Sequence, residues 1–180
     1  YEFGYGISYT TFEYSDFKIS KSSITPNDRI TISVKVKNTG DYSGKEVVQI
    51  YCEAPQGKLG KPSRVLCGFK KTKDLKPGGE ERFSIEVPFA DLASYDDSGV
   101  TGHRSCFVLE AGEYKFYAGT DVRSAKLVSS VNFENTEVIK ELTQCAALVL
   151  PYKRMRPELQ ADGSFKVVFE DVPLLEADEN

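Results

Sequence analysis

The chain has 180 residues, close to the roughly 150 residues of a typical single domain, so we expect one core with an appendage and no two-domain enzyme. Its 23 Lys and Arg and 27 Asp and Glu give a net charge of −4 and are spread along the chain, which excludes the basic face that nucleic-acid binding requires. Hydrophobic residues at 40% and aromatic residues at 12% are too many for a disordered segment.

The longest apolar stretch, residues 145–150, falls far short of the roughly 20 residues that a membrane-spanning helix needs. No basic and then apolar leader stands at the start. We therefore expect no membrane partner and a cytoplasmic location. The chain begins at Tyr1 and not at a methionine, which suggests a segment of a longer protein.

An aromatic arm, residues 1–11, opens the chain. Its four rings are those of Tyr1, Phe3, Tyr5 and Tyr9. Rings on a free arm would promote aggregation, so we expect the arm to dock either on the rest of this chain or on a neighbouring domain. Its glycine content suits a segment that lies in a groove better than a strand. Self-association of the isolated segment is a third way to cover the rings.

The middle of the chain alternates apolar and polar residues with a period of two. Residues 29–37 show the pattern of a half-buried antiparallel strand, whereas residues 45–54 are apolar on both faces and predict a central strand covered on both sides. Strands are predicted near residues 12–21, 29–38, 45–54, 63–73, 80–88, either 104–110 or 112–119, and 124–134. The residues predicted to be buried between two sheets are Ile32, Val34, Ile50, Phe83, Ile85, Tyr114 and Phe116.

Glycine and proline turn signals separate these runs and reverse the chain every 8 to 15 residues or so. The predicted fold class is therefore all-β, a seven-stranded antiparallel sandwich of the immunoglobulin-like or fibronectin type III-like kind. Tryptophan is absent, so the Cys–Trp–Cys framework of immunoglobulin domains is missing and the fibronectin-like alternative is favoured.

Residues 135–180 form a C-terminal extension with a different pattern. Asn135 is a candidate N-cap, and the residues after it predict a short helix. The apolar side of this helix would carry Val138, Ile139 and Leu142. Farther along the chain, Asp162 and Gly163 predict a hairpin turn between two short strands.

The cysteines and the single histidine do not suggest a metal site. Cys52, Cys67, Cys106 and Cys145 are never closer than 15 positions, and His103 is alone, so closely spaced chelating pairs are missing. No glycine-rich phosphate loop is present either, and we predict neither a metal nor a cofactor. Cys52 and Cys67 fall on strands that could be neighbours, and they are either a candidate disulfide or two unrelated thiols.

Catalytic candidates are weak. Asp91, Asp96 and Asp97 lie in a Ser- and Gly-rich region, where adjacent carboxylates are typical of solvated turn formers and not of a catalytic pair. His103 lacks the partners of a nucleophilic triad and is predicted to be a surface residue. We therefore predict no catalytic residue in this chain.

An exposed row of coplanar aromatic rings would indicate a carbohydrate-binding module. The candidates for such a row are Tyr42, Tyr51, Tyr95 and Tyr117. The strand pattern does not bring them together, so core or interface positions are favoured for these tyrosines.

Short segments of the chain, taken in order, resemble one enzyme family. They are FGYGISYTTF at residues 3–12, VKNTGD at 36–41, GKEVVQIY at 44–51, PSRVLCGFKK at 62–71, LKPGGE at 75–80, EAGEY at 110–114 and AG at 118–119. As a set they are similar to the fibronectin type III-like domain of glycoside hydrolase family 3 enzymes, the β-glucosidase group, and to the segment leading into it. The resemblance ends at about residue 130, and Phe107 departs from it, because the family often has tryptophan there.

The resemblance implies three parts. Residues 1–11 would be a linker arm from a preceding α/β domain, residues 12–134 the sandwich, and residues 135–180 a connector. Residues 134–157, with LPYKRM at 150–155, resemble a connector of members in which this domain precedes the catalytic barrel.

The resemblance also implies a role. The chain would be a non-catalytic accessory domain that packs against the catalytic barrel and α/β domains of its own parent, a glycosidase acting on β-linked glucosides or oligosaccharides. The family's catalytic aspartate and glutamate lie on other domains, and no catalytic residue carries over. Phe3, Tyr5 and Tyr9 would make interdomain contacts. The alternative is a carbohydrate-binding module of the same enzyme.

Overall fold

A computed structural model describes residues 1–21, 23–145 and 150–174 of the chain. In chain order its strands are β1 (Phe12–Ile19), β2 (Arg29–Asn38), β3 (Val47–Glu53), β4 (Val65–Lys71), β5 (Glu80–Pro88), β6 (Ser94–Asp96), β7 (Cys106–Leu109), β8 (Gly112–Gly119), β9 (Lys126–Phe133), β10 (Glu137–Glu141), β11 (Lys153–Leu159) and β12 (Phe165–Asp171), with a 3₁₀ helix at Phe89–Leu92. Within these residues, no helix has the length and apolar character that crossing a bilayer requires.

Two antiparallel sheets form the sandwich. One has three strands in the order β1–β2–β5, and the other has four in the order β4–β3–β8–β9. The all-β, seven-stranded fold is therefore confirmed. The sequence predicts one strand in either 104–110 or 112–119, and the structure has a strand in each of these ranges, β7 and β8. β8 belongs to the sandwich, whereas β7 lies in a smaller sheet of order β10–β7–β6.

The core lies between the two large sheets. Period-two alternation turns Ile30, Ile32, Val34 and Val36 of β2 to one face, and none of them is exposed. β2 pairs with β5 without interruption, and Phe89, Tyr114 and Phe133 pack edge to face at ring distances of 4.8 and 5.2 Å. All seven residues predicted for the core are buried.

The short helix predicted after Asn135 is wrong, because these residues form β10. β10 pairs antiparallel with β7, placing Val138 opposite Val108, and Ile139 packs against the core. A helix of one or two turns is marginal on its own, whereas β7 offers a free edge whose backbone groups need partners. β-branched residues such as Val138 and Ile139 also favour a strand.

The hairpin predicted at Asp162 and Gly163 is confirmed. β11 and β12 pair antiparallel from Lys153 opposite Asp171 to Leu159 opposite Phe165. Gly163 has a φ of 81°, which glycine adopts without steric cost. Residues 146–149 and 175–180 of the extension lie outside the described part of the chain.

Candidate interdomain interface

The aromatic arm lies across the outer face of β3, and its first point of attachment is at Phe3 and Gly4. The Phe3 carbonyl accepts hydrogen bonds from the Val122 N–H (3.1 Å) and the Tyr51 hydroxyl (3.4 Å). The Gly4 carbonyl accepts from Gln49 Nε2 at 2.9 Å. The Phe3 ring meets the Tyr51 ring edge to face at 6.5 Å. Backbone acceptors of the arm thus replace water on the polar groups of β3.

Only glycine fits at position 4. A Cβ there would lie 2.1 Å from Gln49 Oε1 and 2.7 Å from the Tyr51 hydroxyl oxygen, and Gly4 has a φ of 84°. The single proton of the Tyr51 hydroxyl is shared between the Phe3 carbonyl and the closer Gln49 Oε1, which lies 2.6 Å from the hydroxyl oxygen. Burial, followed by the nearby Asp121 carboxylate, raises the pKa of Tyr51, so this hydroxyl remains a donor at neutral pH.

The second point of attachment is Thr10, which is held by the buried side chain of Asn38. Asn38 Oδ1 accepts from the Thr10 hydroxyl (2.7 Å) and the Gly40 N–H (3.0 Å). Asn38 Nδ2 donates to the carbonyls of Tyr42 (2.8 Å) and Leu75 (2.7 Å). All four hydrogen-bonding positions of this amide are therefore used, and they join the arm to two turns of the sandwich.

These contacts settle where part of the arm lies. The arm was expected to dock on the rest of this chain, on a neighbouring domain or on another copy. Phe3 and Gly4 dock on the rest of this chain. β3 is covered on both sides, as predicted: Val48 and Ile50 face the core, and the arm covers Gln49 and Tyr51.

Between the two attachment points the arm exposes its apolar side chains. Tyr5 is 48% exposed, Ile7 85% and Tyr9 96%. Tyr1 stacks on Tyr5 at a ring distance of 5.4 Å, and the Phe3 ring keeps 64% of its surface in solvent. The interdomain contacts expected of Phe3, Tyr5 and Tyr9 stay a prediction, but their rings are accessible for such contacts.

The residues that hold the arm were not singled out from the sequence. The sequence pattern places Asn38 at the end of one predicted strand and Gln49 within another, and it gives neither residue a role of its own. One signal was present, because Gln49 and Tyr51 are two positions apart and must share the face opposite Val48 and Ile50. A polar pair on a strand that is otherwise buried on both faces predicts a hydrogen-bonded cover.

The four candidate tyrosines do not form a carbohydrate-binding row. Tyr51 is 1% exposed beneath the arm, and the Arg64 guanidinium covers the Tyr117 ring at 3.8 Å. Tyr95 and Tyr42 are exposed, Tyr95 on β6 and Tyr42 in the turn after β2. The core or interface position that the sequence favours is therefore found for Tyr51 and Tyr117.

Asp96 is buried at the end of β6, so the expectation of a solvated residue is wrong for this carboxylate. Its Oδ1 accepts from the N–H groups of Ser98 (3.1 Å) and Val100 (3.2 Å), and its Oδ2 accepts from the N–H (2.8 Å) and hydroxyl (2.6 Å) of Thr101. Burial alone raises the pKa of Asp96, but these hydrogen bonds outweigh it and hold the pKa below its ordinary value. Asp96 is a turn former that the loop itself encloses.

We expect Asp96→Asn to destabilise the chain at neutral pH by about 1–3 kcal/mol, because the amide group would face the donors of Thr101. The folded-state pKa is lowered, so the carboxylate contributes stability above its unfolded-state pKa and loses it as the pH falls through the folded value. Urea unfolding at several pH values should therefore show the difference between the two proteins shrinking below about pH 4. A difference that stays constant into more acidic solution would contradict this role.

The other candidate polar residues have structural or solvent-exposed positions. Asp97 pairs with Arg154 Nη1 at 3.1 Å and accepts from the Tyr152 hydroxyl at 2.9 Å, which joins the loop after β6 to the C-terminal extension. Asp91 and His103 are exposed, as expected for a surface histidine. Asp97 is therefore tied to the extension and not to another acid of the cluster.

The cysteines are free thiols. Cys52 and Cys67 do lie on the paired strands β3 and β4, without a disulfide between them. Burial raises the pKa of Cys67 to about 12 and also raises that of Cys52, so neither is a reactive thiolate at neutral pH. In the part of the chain that the structure describes, no group of three or more His, Cys, Asp or Glu is placed to hold a metal.

A buried ion pair closes the loop between β3 and β4. Lys61 Nζ lies 2.6 Å from Glu110 Oε2, and the two side chains are 5% and 6% exposed. Lys61 Nζ also donates to the Pro55 carbonyl at 2.8 Å, and Glu110 accepts from the N–H groups of Lys58 (2.6 Å) and Leu59 (3.3 Å). Both charges are hydrogen-bonded, which is what their burial requires.

Comparison with known proteins agrees with this architecture. Residues 46–122 match the fibronectin type III-like domain family. A β-glucosidase of Ruminococcus albus is 51% identical over 179 residues, which are 99% of this chain and 18% of that protein. β-Glucosidase A of Butyrivibrio fibrisolvens is 40% identical over 97% of this chain and 22% of that protein. The structure of a β-glucosidase from Paenibacillus barengoltzii superimposes with a TM-score of 0.88 at 39% identity, covering 98% of this chain and 20% of that one.

The sandwich and the family match define a fibronectin type III-like domain. More narrowly, the chain matches, over nearly its whole length, the fibronectin type III-like region of longer glycoside hydrolase family 3 β-glucosidases. It spans about a fifth of the length of the relatives named above.

Proposed function

We propose that this chain is a non-catalytic accessory domain of a β-glucosidase-like enzyme that acts on β-linked glucosides or oligosaccharides. It packs against the catalytic barrel and α/β domains of its parent polypeptide and stabilises them. The observation that carries this proposal is the aromatic arm, which is attached at Phe3–Gly4 and at Thr10 and exposes Tyr5, Ile7 and Tyr9 between these points.

An exposed apolar segment with fixed ends is suited to an interface. The arm is already ordered, because its backbone is hydrogen-bonded to Gln49 and Tyr51 and its Thr10 side chain to Asn38, so a partner that covers the rings pays little of the usual ordering cost. Contiguous exposed apolar surface is typical of protein contact sites. Because the relatives continue far beyond this segment, the partner we propose is another domain of the same polypeptide.

The acids that were considered as catalytic candidates support a non-catalytic role. A retaining glycosidase needs two carboxyl groups roughly 5 Å apart in a sugar-binding cleft. Both carboxylate oxygens of Asp96 accept hydrogen bonds from its own loop, and Asp97 is paired with Arg154. We expect the isolated chain to show no turnover of an aryl β-glucoside. Turnover that disappears when an acid of this chain is replaced would contradict the proposal.

The packing role is tested by Tyr9→Ser in the complete polypeptide. Tyr9 is 96% exposed, so the change should leave the stability of the isolated chain unaltered and lower the melting temperature of the complete polypeptide by at least about 2 °C. Tyr42→Ser is the control, because this ring is also exposed (67%) and only the Tyr42 backbone carbonyl, which the substitution keeps, takes part in the hydrogen bonds of the Asn38 amide that holds Thr10. Equal effects of the two substitutions on the complete polypeptide would refute the role of the arm.

A further inference from the structure

The C-terminal hairpin has one apolar face. The pairing of β11 with β12 places on this face, which we call the hairpin face, the side chains of Met155, Pro157, Leu159, Phe165, Val167 and Phe169. Met155, Leu159, Val167 and Phe169 are between 58% and 66% exposed. A two-stranded hairpin is marginally stable at best in water, so such a face in open solvent is unfavourable.

The opposite face of the hairpin is polar and is attached to the sandwich. Arg154 Nε lies 2.8 Å from Glu170 Oε1, and Arg154 Nη1 lies 3.1 Å from Asp97 Oδ1. The Tyr152 hydroxyl donates to the same Asp97 carboxylate, and Val172 is buried. The hairpin is thus held through the side away from the hairpin face, which leaves that face turned outwards.

The hairpin face continues onto the sandwich at the loop before β4. A groove of about 400 Å³ runs between this loop and the hairpin, and Pro62, Met155, Pro157 and Val167 are among its lining residues. A Cβ at Gly60 would lie 3.3 Å from Arg156 Cβ, so the loop and β11 are in close contact. The loop is itself fixed by the buried Lys61 ammonium described above.

We propose that the hairpin face docks on an uncharged apolar surface of another domain in the same polypeptide. This inference rests on the proposed function and adds a second interface to that of the aromatic arm. The charges that share the hairpin face, Lys153 and Asp171, lie at one end and pair with each other at 3.5 Å, so the partner surface needs no counter-charge.

The lengths of the relatives favour another domain of the same polypeptide as the occupant. The β-glucosidase of Paenibacillus barengoltzii superimposes on 98% of this chain, which includes the hairpin, although the matched region is only 20% of that protein. The hairpin therefore recurs within a chain that continues far beyond it. A covering surface within one polypeptide is present at high effective concentration, which favours it over a second molecule.

Met155 is the single methionine of the chain and lies on the hairpin face, 66% exposed, which supplies a direct test. Hydrogen peroxide converts an accessible methionine to its sulfoxide. We expect Met155 to oxidise at least about tenfold more slowly in the complete polypeptide than in the monomeric isolated chain, followed by mass spectrometry of its tryptic peptide. Equal rates would overturn the proposal. Protection in the isolated chain that rises with its concentration would also overturn it, by making the face an interface between copies.

A pair of substitutions separates this interface from the arm. Val167→Glu with Phe169→Glu should lower the melting temperature of the complete polypeptide and leave that of the isolated chain within about 2 °C, because both side chains are exposed in it. Lys166→Glu, on the opposite face, is the control. If Tyr9→Ser has its expected effect and the hairpin substitutions have none, the hairpin interface fails while the proposed function stands. If only Tyr9→Ser has no effect, the role of the arm fails instead.

Discussion

Replacement of Glu110 by alanine is expected to destabilise the isolated chain by about 3–5 kcal/mol, the largest effect we expect from a single substitution. The variant leaves the Lys61 ammonium buried without its carboxylate, and it also removes the acceptor of the Lys58 and Leu59 N–H groups. The loop between β3 and β4 loses its anchor at the same time. Denaturant unfolding of the two proteins at neutral pH measures the difference in the free energy of unfolding.

Two further variants make this prediction specific. Glu113→Ala removes a nearby but exposed carboxylate, 3.9 Å from Lys115, and should cost no more than about 1 kcal/mol. The double variant Lys61→Met with Glu110→Leu removes both charges, so its cost should be well below the sum of the two single substitutions to the same residues. If the single changes simply add, the pair is not the buried, coupled interaction that the distances indicate.

Replacement of Ile32 by alanine is expected to destabilise the chain by about 2–5 kcal/mol. Ile32 is fully buried in the middle of β2, opposite Ile85 of β5, and both strands continue past it on either side. The surrounding strands are hydrogen-bonded and cannot close the space that the side chain leaves, so a cavity term adds to the loss of apolar burial. The midpoint and slope of denaturant unfolding provide the measurement.

Leu127→Ala is the matched control for this prediction. Leu127 lies on β9 and is 57% exposed, so removal of a similar aliphatic side chain leaves no cavity and should change the free energy of unfolding by less than about 1 kcal/mol. An Ile32→Ala effect below about 0.5 kcal/mol would place this side chain outside the core and reverse the assignment of the two faces of β2.

The strands of the sandwich could be predicted because the signal for each strand lies in its own short stretch of sequence. Alternation along β2 and β5 is a property of neighbouring residues, and a one-residue slip would move every apolar side chain to the wrong face. The turn at Asp162 and Gly163 could be predicted in the same way, because a backbone conformation with positive φ favours glycine in any structural context. Such features do not depend on what lies across the sheet.

The residues of the candidate interface were harder to predict because their roles depend on distant partners. In the sequence, Gln49 is a polar residue within an apolar strand and has no evident partner. Its partner is the Gly4 carbonyl of the arm, 45 positions earlier in the chain, which accepts a hydrogen bond from its side chain. Asp96 lies in a segment whose composition is typical of a solvated turn, yet it is buried, and Ser98, Val100 and Thr101 of its own loop donate hydrogen bonds to its carboxylate. Spacing along a strand shows which face a polar side chain takes, but it does not show which distant segment of the chain will cover that side chain.

Local sequence patterns were enough to predict an antiparallel sandwich with an aromatic arm and a C-terminal hairpin, and the ordered motifs were enough to show the resemblance to one enzyme family. Three features became visible only in the folded chain: residues 137–141 pair with β7 as β10, Lys61 meets Glu110, and the arm covers β3. The physical reason is the same in each case. Backbone edges and buried charges need partners, and the nearest partner in space is chosen by the packed fold and not by separation along the chain.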